Sequence, residues 1–370
     1  MSFPLSLYIH IPWCVSKCPY CDFNSHPQRG ALPVESYLEA LSANWRQQLG
    51  YIQDREIQSI FIGGGTPSLF PAQSYQRLFD LIRQDVRWAQ DIEITLEANP
   101  GTIEHDQFSA YREVGINRIS LGVQTFQAPQ LKRLGRIHGS EEVYHAVAEI
   151  KAAGFKQFNL DLMHGLPEQT EAQALDDLNQ AIGLEPSHLS WYQLTLEPNT
   201  LFYEKPPVLP EEDILAEIEN QGLALLAHHG FDRYEISAFS RSGSQCRHNL
   251  NYWRFGDYLA IGAGAHGKVD KLRYWHYKHP RQYQNPELNY REGESVLSEA
   301  DLVSEFMLNA CRLVEGFNEP LFKERTGLEI ESIRQPLLQA TSLGLLAFKE
   351  GRYVPTYLGL RFYNDLVSLF

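Results

Sequence analysis

The sequence predicts an α/β fold: a parallel sheet curled into a barrel or part of one, with a small α+β domain after it. Three observations lead there. Six short apolar runs alternate with amphipathic stretches, the pattern of right-handed βαβ units. Polar and glycine residues gather where those runs end, and in parallel barrels the working residues sit at the C-terminal ends of strands. From about Leu297 the pattern changes to helical segments followed by a short hairpin.

Taken in order, the first strand-like run is Tyr8-Ile9-His10-Ile11. It is followed by a helix with Leu38, Leu41, Trp45, Leu49 and Ile52 at three- and four-residue steps. Ser59-Ile60-Phe61-Ile62 runs into Gly63-Gly64-Gly65-Thr66-Pro67, and Pro71 opens a helix with Tyr75, Leu78, Phe79 and Ile82 inward. Ile92–Leu96 alternates as a strand and ends at Glu97; a helix with Phe108, Tyr111 and Val114 follows. Arg118–Val123 ends at Gln124, and the next helix carries Val143, Val147 and Ile150. Phe158–Met163 runs into His164-Gly165-Leu166-Pro167, then a helix with Leu175, Leu178 and Ile182. His188–Leu194 is the sixth strand; a helix across 211–229 and a further strand near Tyr234-Glu235-Ile236 close the series. In the tail, helices near 301–314, 319–326 and 331–343 precede a hairpin turning about Lys349-Glu350-Gly351-Arg352, a winged-helix-like shape.

The whole is organised around one loop. Cys14, Cys18 and Cys21 are three of five cysteines, spaced C-x3-C-x2-C directly after the first strand. Three thiolates on one short loop can converge on a soft metal centre but cannot fill four positions, and iron–sulfur clusters normally take four protein thiolates. Zinc would accept such spacings, with His10 or His26 as fourth ligand. A zinc module usually shows a second close pair, and the remaining cysteines, Cys246 and Cys311, lie far downstream. No signal-peptide pattern precedes the first strand, and the odd cysteine count suits a reducing cytoplasm, where the protein is expected.

Bulk properties exclude other classes. No apolar run reaches the ~18 residues of a membrane span. The formal charge of −14 over 370 residues disfavours nucleic acid as a partner. The same holds for the winged-helix-like tail, with seven Lys/Arg against ten Asp/Glu from Val296 onward. Three segments are expected: a barrel over 1–240, a connecting region over 241–295 and a tail domain over 296–370.

The C-x3-C-x2-C loop, with the glycine run one βα unit later, resembles the radical S-adenosylmethionine (radical-SAM) superfamily. The resemblance implies a TIM-like partial (β/α)6 barrel, which the strand count fits. It also implies a [4Fe–4S] cluster on Cys14, Cys18 and Cys21 whose open iron chelates SAM. By the same resemblance Gly64, Gly65 and Thr66 receive the methionine end of SAM, and Glu97 bonds its ribose or amino group. Tyr8, Tyr20, Gln124, Arg136 and Asp161 match further SAM or substrate-side positions of the coproporphyrinogen-oxidase branch. Each barrel-end polar residue also has a structural reading, as a hydrogen-bonding wall residue or, for Glu97, as a carboxylate favouring a helix dipole.

Past the barrel comes Cys246-Arg247-His248-Asn249-Leu250-Asn251-Tyr252-Trp253. Imidazole is a common haem ligand and flat aromatics can stack on a porphyrin, although a packed loop explains the same residues. The string H-N-x-x-Y-W resembles the haem-binding motif of a haem-chaperone family within the superfamily, which makes His248 a candidate haem ligand, with His266 and Cys246 as lesser ones. Two functions compete. One is an oxygen-independent coproporphyrinogen III oxidase. The other is a chaperone that passes haem to haem-requiring respiratory proteins, could form a homodimer, and would meet membranes only through its acceptors. The oxidase branch carries a fourth cysteine two positions after the third, where this chain has Phe23. It also has a long N-terminal extension, whereas here the cluster strand lies within the first ten residues. Both differences, together with H-N-x-x-Y-W, favour the chaperone. A binding module with a vestigial SAM site remains the third reading.

Overall fold

Six parallel strands carry the architecture: β1 (Leu5–Ile11), β2 (Ile57–Gly64), β3 (Trp88–Ala98), β4 (Arg118–Gln124), β5 (Gln157–His164) and β6 (His188–Gln193). The structure, a computed structural model, describes residues 4–101 and 106–370. Helices α1 (Val34–Gln48), α2 (Ala72–Asp85), α3 (Phe108–Glu113), α4 (Ala128–Arg133), α5 (Ser140–Ala152), α6 (Glu171–Gly183) and α7 (Glu212–His228) fill the crossovers. β4 is buried at every position. Its Ile119, Leu121 and Val123 join the core, and they alternate with Ser120, Gly122 and Gln124, which line an interior cavity from the other face.

The helices form for local reasons. In α2, the buried Tyr75, Leu78, Phe79 and Ile82 recur at helical spacing on one face. α6 is started by Thr170, whose hydroxyl accepts from the Gln173 N–H while Gln173 answers with its side chain. Leu7, Ile9, Ile60, Leu96, Leu121 and Leu160 meet in one core with the inner helix faces. Each such side chain contributes roughly 1.5–3 kcal/mol on burial.

Beyond β6 the chain turns back. β7 (Asp232–Glu235) and β8 (Ala238–Ser240) form a hairpin whose second strand pairs antiparallel with β6. Helix α8 (Arg247–Trp253) follows, then β9 (Asp257–Ile261), β10 (His266–Val269), β11 (Leu272–His276) and β12 (Arg291–Val296). β9 lies parallel to β1 on the side away from β2. Among the described residues the sheet therefore has twelve strands, in the order β12-β11-β10-β9-β1-β2-β3-β4-β5-β6-β8-β7. Residues 241–295, expected as a connecting region, thus contribute four strands to the barrel sheet. β10, β11 and β12 follow as an antiparallel meander, while β9 joins the barrel through β1, over two hundred residues away, Leu5 against Asp257 for example, so no local signal announces that junction.

The tail folds on its own core. α9 (Glu299–Ala310), α10 (Glu319–Thr326), α11 (Arg334–Ser342) and the hairpin β13 (Leu346–Lys349)–β14 (Arg352–Pro355) give the expected winged-helix-like arrangement. Phe306 meets Phe317 and Phe322 edge-on at 5.2 and 5.1 Å. Directly after α9 the tail joins the barrel: Leu313 bridges antiparallel to Glu235 of β7, and the Val314 N–H donates to the Tyr234 carbonyl at 3.0 Å. No helix of the described residues is long and apolar enough to cross a membrane.

Candidate functional site

The cysteine loop leaves the C-terminal end of β1 and is pinned at both ends. Trp13 and Cys14 pair in parallel with His26 and Pro27, and the Gln28 N–H donates to the Cys14 carbonyl at 2.8 Å. His10 holds the middle. Burial lowers its pKa to about 4, so the ring is neutral. Nε2 therefore donates to the Asn24 carbonyl (2.9 Å), and Nδ1 accepts from the Tyr8 hydroxyl (2.9 Å). Tyr8 thus acts on the loop through His10 and does not line the cavity beside it.

Beneath the loop, Gly64 and Gly65 are glycines because the loop crosses them. A Cβ on Gly65 would lie 2.3 Å from the Trp13 carbonyl oxygen, and one on Gly64 (φ +120) 2.7 Å from the His10 ring. The Gly65 and Thr66 N–H groups donate to the Ile11 and Trp13 carbonyls, and the Gly64 N–H to Glu97 Oε2 at 3.0 Å. With those donors engaged, the backbone of this turn can offer a ligand only carbonyl oxygen, the right partner for the N–H groups of an amine.

All three sulfurs face one cavity of ≈ 460 Å³, within the usual size of small-molecule sites. Tyr20, Gly64, Gly65, Thr66, Glu97, Gln124, Arg136 and Asp161 line the same space. Of the thirteen residues singled out from sequence, eleven therefore converge; Tyr8 and His248 do not reach the cavity surface. Burial pushes the Cys14 thiol up to about 11 and raises Cys21 too. Binding a metal centre would thus release protons. Hydrogen-bonding groups already surround the sulfurs: Arg136 Nη1 points at Cys18 Sγ and the Ser25 hydroxyl meets Cys21 Sγ, each at 3.8 Å. Such bonds favour a charged cluster. Among the described residues no three His, Cys, Asp or Glu side chains are gathered tightly enough to hold a single ion. An iron–sulfur cubane asks less of them, since each thiolate binds its own iron, and the three cysteines fit that group.

Across the cavity, polar side chains interlock. Asn99 donates to the Thr66 hydroxyl at 3.0 Å, and Arg136 Nη2 donates to Asn99 Oδ1 at 2.5 Å. Asp161 accepts from Ser120 (3.0 Å) and Asn159 (2.7 Å). Gln124 ends β4 in the left-handed region (φ 70), and its side-chain oxygen accepts from the Tyr192 hydroxyl at 3.0 Å. A non-glycine residue held there costs conformational energy, a feature concentrated at functional sites. Burial raises Glu97 to about 8, with the nearby Asp161 charge adding and the Gly64 N–H opposing. Burial raises Asp161 as well. Two carboxyls in one enclosed wall prefer a cation between them.

His248 lies in the wall and does not reach the cavity surface. Its ring is fully buried, with Nδ1 3.0 Å from the Ser59 hydroxyl and Nε2 2.9 Å from the Tyr252 hydroxyl. The Phe61 ring lies 5.2 Å away, and burial lowers the pKa to about 3. The imidazole is neutral, as an iron ligand must be, but both nitrogens are engaged inside the wall between α8 and β2. Cys246 is also buried, beside Glu93 at 3.5 Å, while His266 is exposed and stacks on Trp275.

Sequence reasoning missed several lining residues: Asn99, Ser120, Tyr192, Glu235 and Arg312. Asn99, two residues past Glu97 at the same strand end, had a positional signal. Arg312 had none, because it reaches the cavity from the tail.

The sequence matches the Radical SAM superfamily over residues 8–181 and the HemN C-terminal domain over 297–362. A solved structure described as coproporphyrinogen III oxidase (HemN) from Escherichia coli, a radical SAM enzyme, superposes with a TM-score of 0.84. It covers 99% of this chain and 90% of that one, at 23% identity, which establishes a shared fold. Proteins named heme chaperone HemW are 50% identical in Escherichia coli (strain K12), 48% in Haemophilus influenzae and 32% in Bacillus subtilis (strain 168), each alignment spanning 99% of this chain and 98% of the relative. Carrying both domains and aligning end to end at up to half identity, the chain belongs to the HemW family of the radical SAM superfamily.

Proposed function

We propose that the protein is a cytoplasmic haem chaperone: it holds a [4Fe–4S] cluster and SAM, takes up haem, and delivers it to haem-requiring respiratory proteins. The single observation carrying this is the full-length identity of 50% with a protein named heme chaperone HemW. Phe23 at the place of the oxidase branch's fourth cysteine supports it. Cys14, Cys18 and Cys21 would hold the cluster, which supplies an open iron for SAM and an electron when reduced. Glu97, Asp161 and the carbonyls of the Gly64–Thr66 turn would hold the cationic methionine end, while Arg136 and Tyr20 sit at the sulfurs and Gln124 closes the far side. His248 would ligate haem iron on exchanging Tyr252 for it, and Tyr8 would keep the cysteine loop in place through His10. Residues 1–240 carry the cluster and SAM, 241–295 the haem motif, and 296–370 a docking domain. A homodimer and brief contact with membrane-bound acceptors belong to the same scheme.

The test incubates anaerobically reconstituted protein with SAM and a strong reductant, once with coproporphyrinogen III and once with haem. Stoichiometric haem retention without decarboxylated porphyrinogen is expected. Decarboxylated product would make the protein an oxidase. Haem should also bind more tightly than its iron-free porphyrin; equal affinities would remove His248 as an iron ligand.

A further inference from the structure

The short helix α8 has two working sides. His248 and Tyr252, four residues apart, turn into the wall, where they hydrogen-bond each other. Asn249 and Trp253, also four apart, line the cavity. The H-N-x-x-Y-W string is therefore divided: its histidine and tyrosine build the wall, and its asparagine and tryptophan face whatever enters.

Beside them comes Arg312, delivered by the tail domain. Its Nη2 donates to Glu235 Oε2 at 2.9 Å and to the Ser237 hydroxyl at 3.3 Å. Its guanidinium lies 4.4 Å over the Trp253 ring. The ion pair, the Trp253 ring and the Tyr363 side chain fix the guanidinium, yet Arg312 Nε and Trp253 Nε1 are both buried without a hydrogen-bond partner. Each of these groups can only donate. Buried donors are nearly always paired, and both side chains line the cavity, so two orphans here mark a place for a ligand's acceptor once the side chains turn toward it. A guanidinium edge beside an indole N–H suits a carboxylate, which offers two oxygens in one plane and forms the stronger, charge-assisted bond.

We propose that Arg312, Trp253 and Asn249 form a subsite for a side-chain carboxylate of a porphyrin. This rests on haem being the cargo. The carboxylate of SAM has the same chemistry, but the candidate SAM residues Thr66, Glu97 and Asp161 lie in the turn after β2, on β3 and on β5, apart from α8 and the tail.

The test titrates the full-length, cluster-reconstituted protein with haem, with haem dimethyl ester, with iron-free coproporphyrin and with SAM. Wild type, Arg312→Lys and Trp253→Phe are compared. Arg312→Lys keeps the charge facing Glu235 and removes the Nε–H; Trp253→Phe keeps an aromatic face and removes the indole donor. Wild type should prefer the free acid to the ester by about tenfold or more, the worth of one charge-assisted hydrogen bond. Each variant should lose that preference by weakening the acid alone, with cluster absorbance and Tm unchanged. Equal weakening of acid and ester, or an intact preference, overturns the subsite. Weakening of SAM alone assigns the carboxylate to SAM and overturns it too. If haem fails to bind wild type while coproporphyrin binds and both variants reduce it, the haem cargo is wrong and the subsite stands. Binding of no porphyrin overturns both.

Discussion

Glu97 shows most clearly how one residue's surroundings set its chemistry. Its carboxyl, raised to about 8 by burial, is mostly protonated at neutral pH. A ligand bearing a sulfonium favours the ionised form, so binding below pH 8 releases a proton from Glu97. Affinity for SAM should therefore climb by up to about tenfold per unit as pH rises from 6 toward 8. It should level off above 8, where Glu97 is already ionised. Calorimetric titration across this range checks the profile, and Glu97→Gln should flatten it. An unchanged slope in that variant would remove Glu97 from SAM binding. At this scale the sequence was informative where a residue's place on a strand fixes its direction. Glu97, Gln124 and Asp161 end or nearly end parallel strands and duly face one cavity. The setting of His248 was not legible, because nothing in its neighbours reveals that Ser59, nearly two hundred positions away, closes off one ring nitrogen.

Among the elements, the turn after β2 carries the sharpest constraint. The cysteine loop rests on the backbone of Gly65, and a methyl group there would meet main chain rather than a movable side chain. Gly65→Ala should displace the loop, at a cost of about 1–3 kcal/mol for overpacking. The expected outcome is loss of most cluster iron and sulfide with the helical circular-dichroism signal retained. Full cluster content in that variant would show that the crossing is looser than drawn. The glycine run was legible as a close approach, but not what approaches: the closest neighbour is the protein's own loop. β1 to β6 were equally legible, since their apolar runs and flanking helices lie close together in the chain. β9 was not, because the short run Asp257–Ile261 lies beside its distant partner β1, and the antiparallel strands β10 to β12 build outward from it.

For the whole molecule, the question is whether cluster and haem occupy separable places. The sulfurs and the α8 wall share a cavity but belong to different segments, with no residue in common. Cys14→Ser should therefore abolish the brown cluster absorbance and leave haem uptake within about threefold of wild type, well under the tenfold that 1.4 kcal/mol represents. Equal loss of both would mean that the cluster builds the haem site. The tail domain was legible as a unit, from its helices and hairpin, and its acidic balance argued against DNA. Its contribution to the cavity was not legible, because Arg312 is one cation in a sequence that gives no hint of Glu235 and Trp253 around it.

That contribution has a mechanical corollary. The residues that stitch the tail to the rim of the barrel, Leu313 and Val314, adjoin the arginine that enters the interior. Prising the tail from that rim would pull a positive charge out of the chamber in the same stroke, as a drawer and its handle travel together. Anything that grips the outside of the tail thereby has a lever on what lies within.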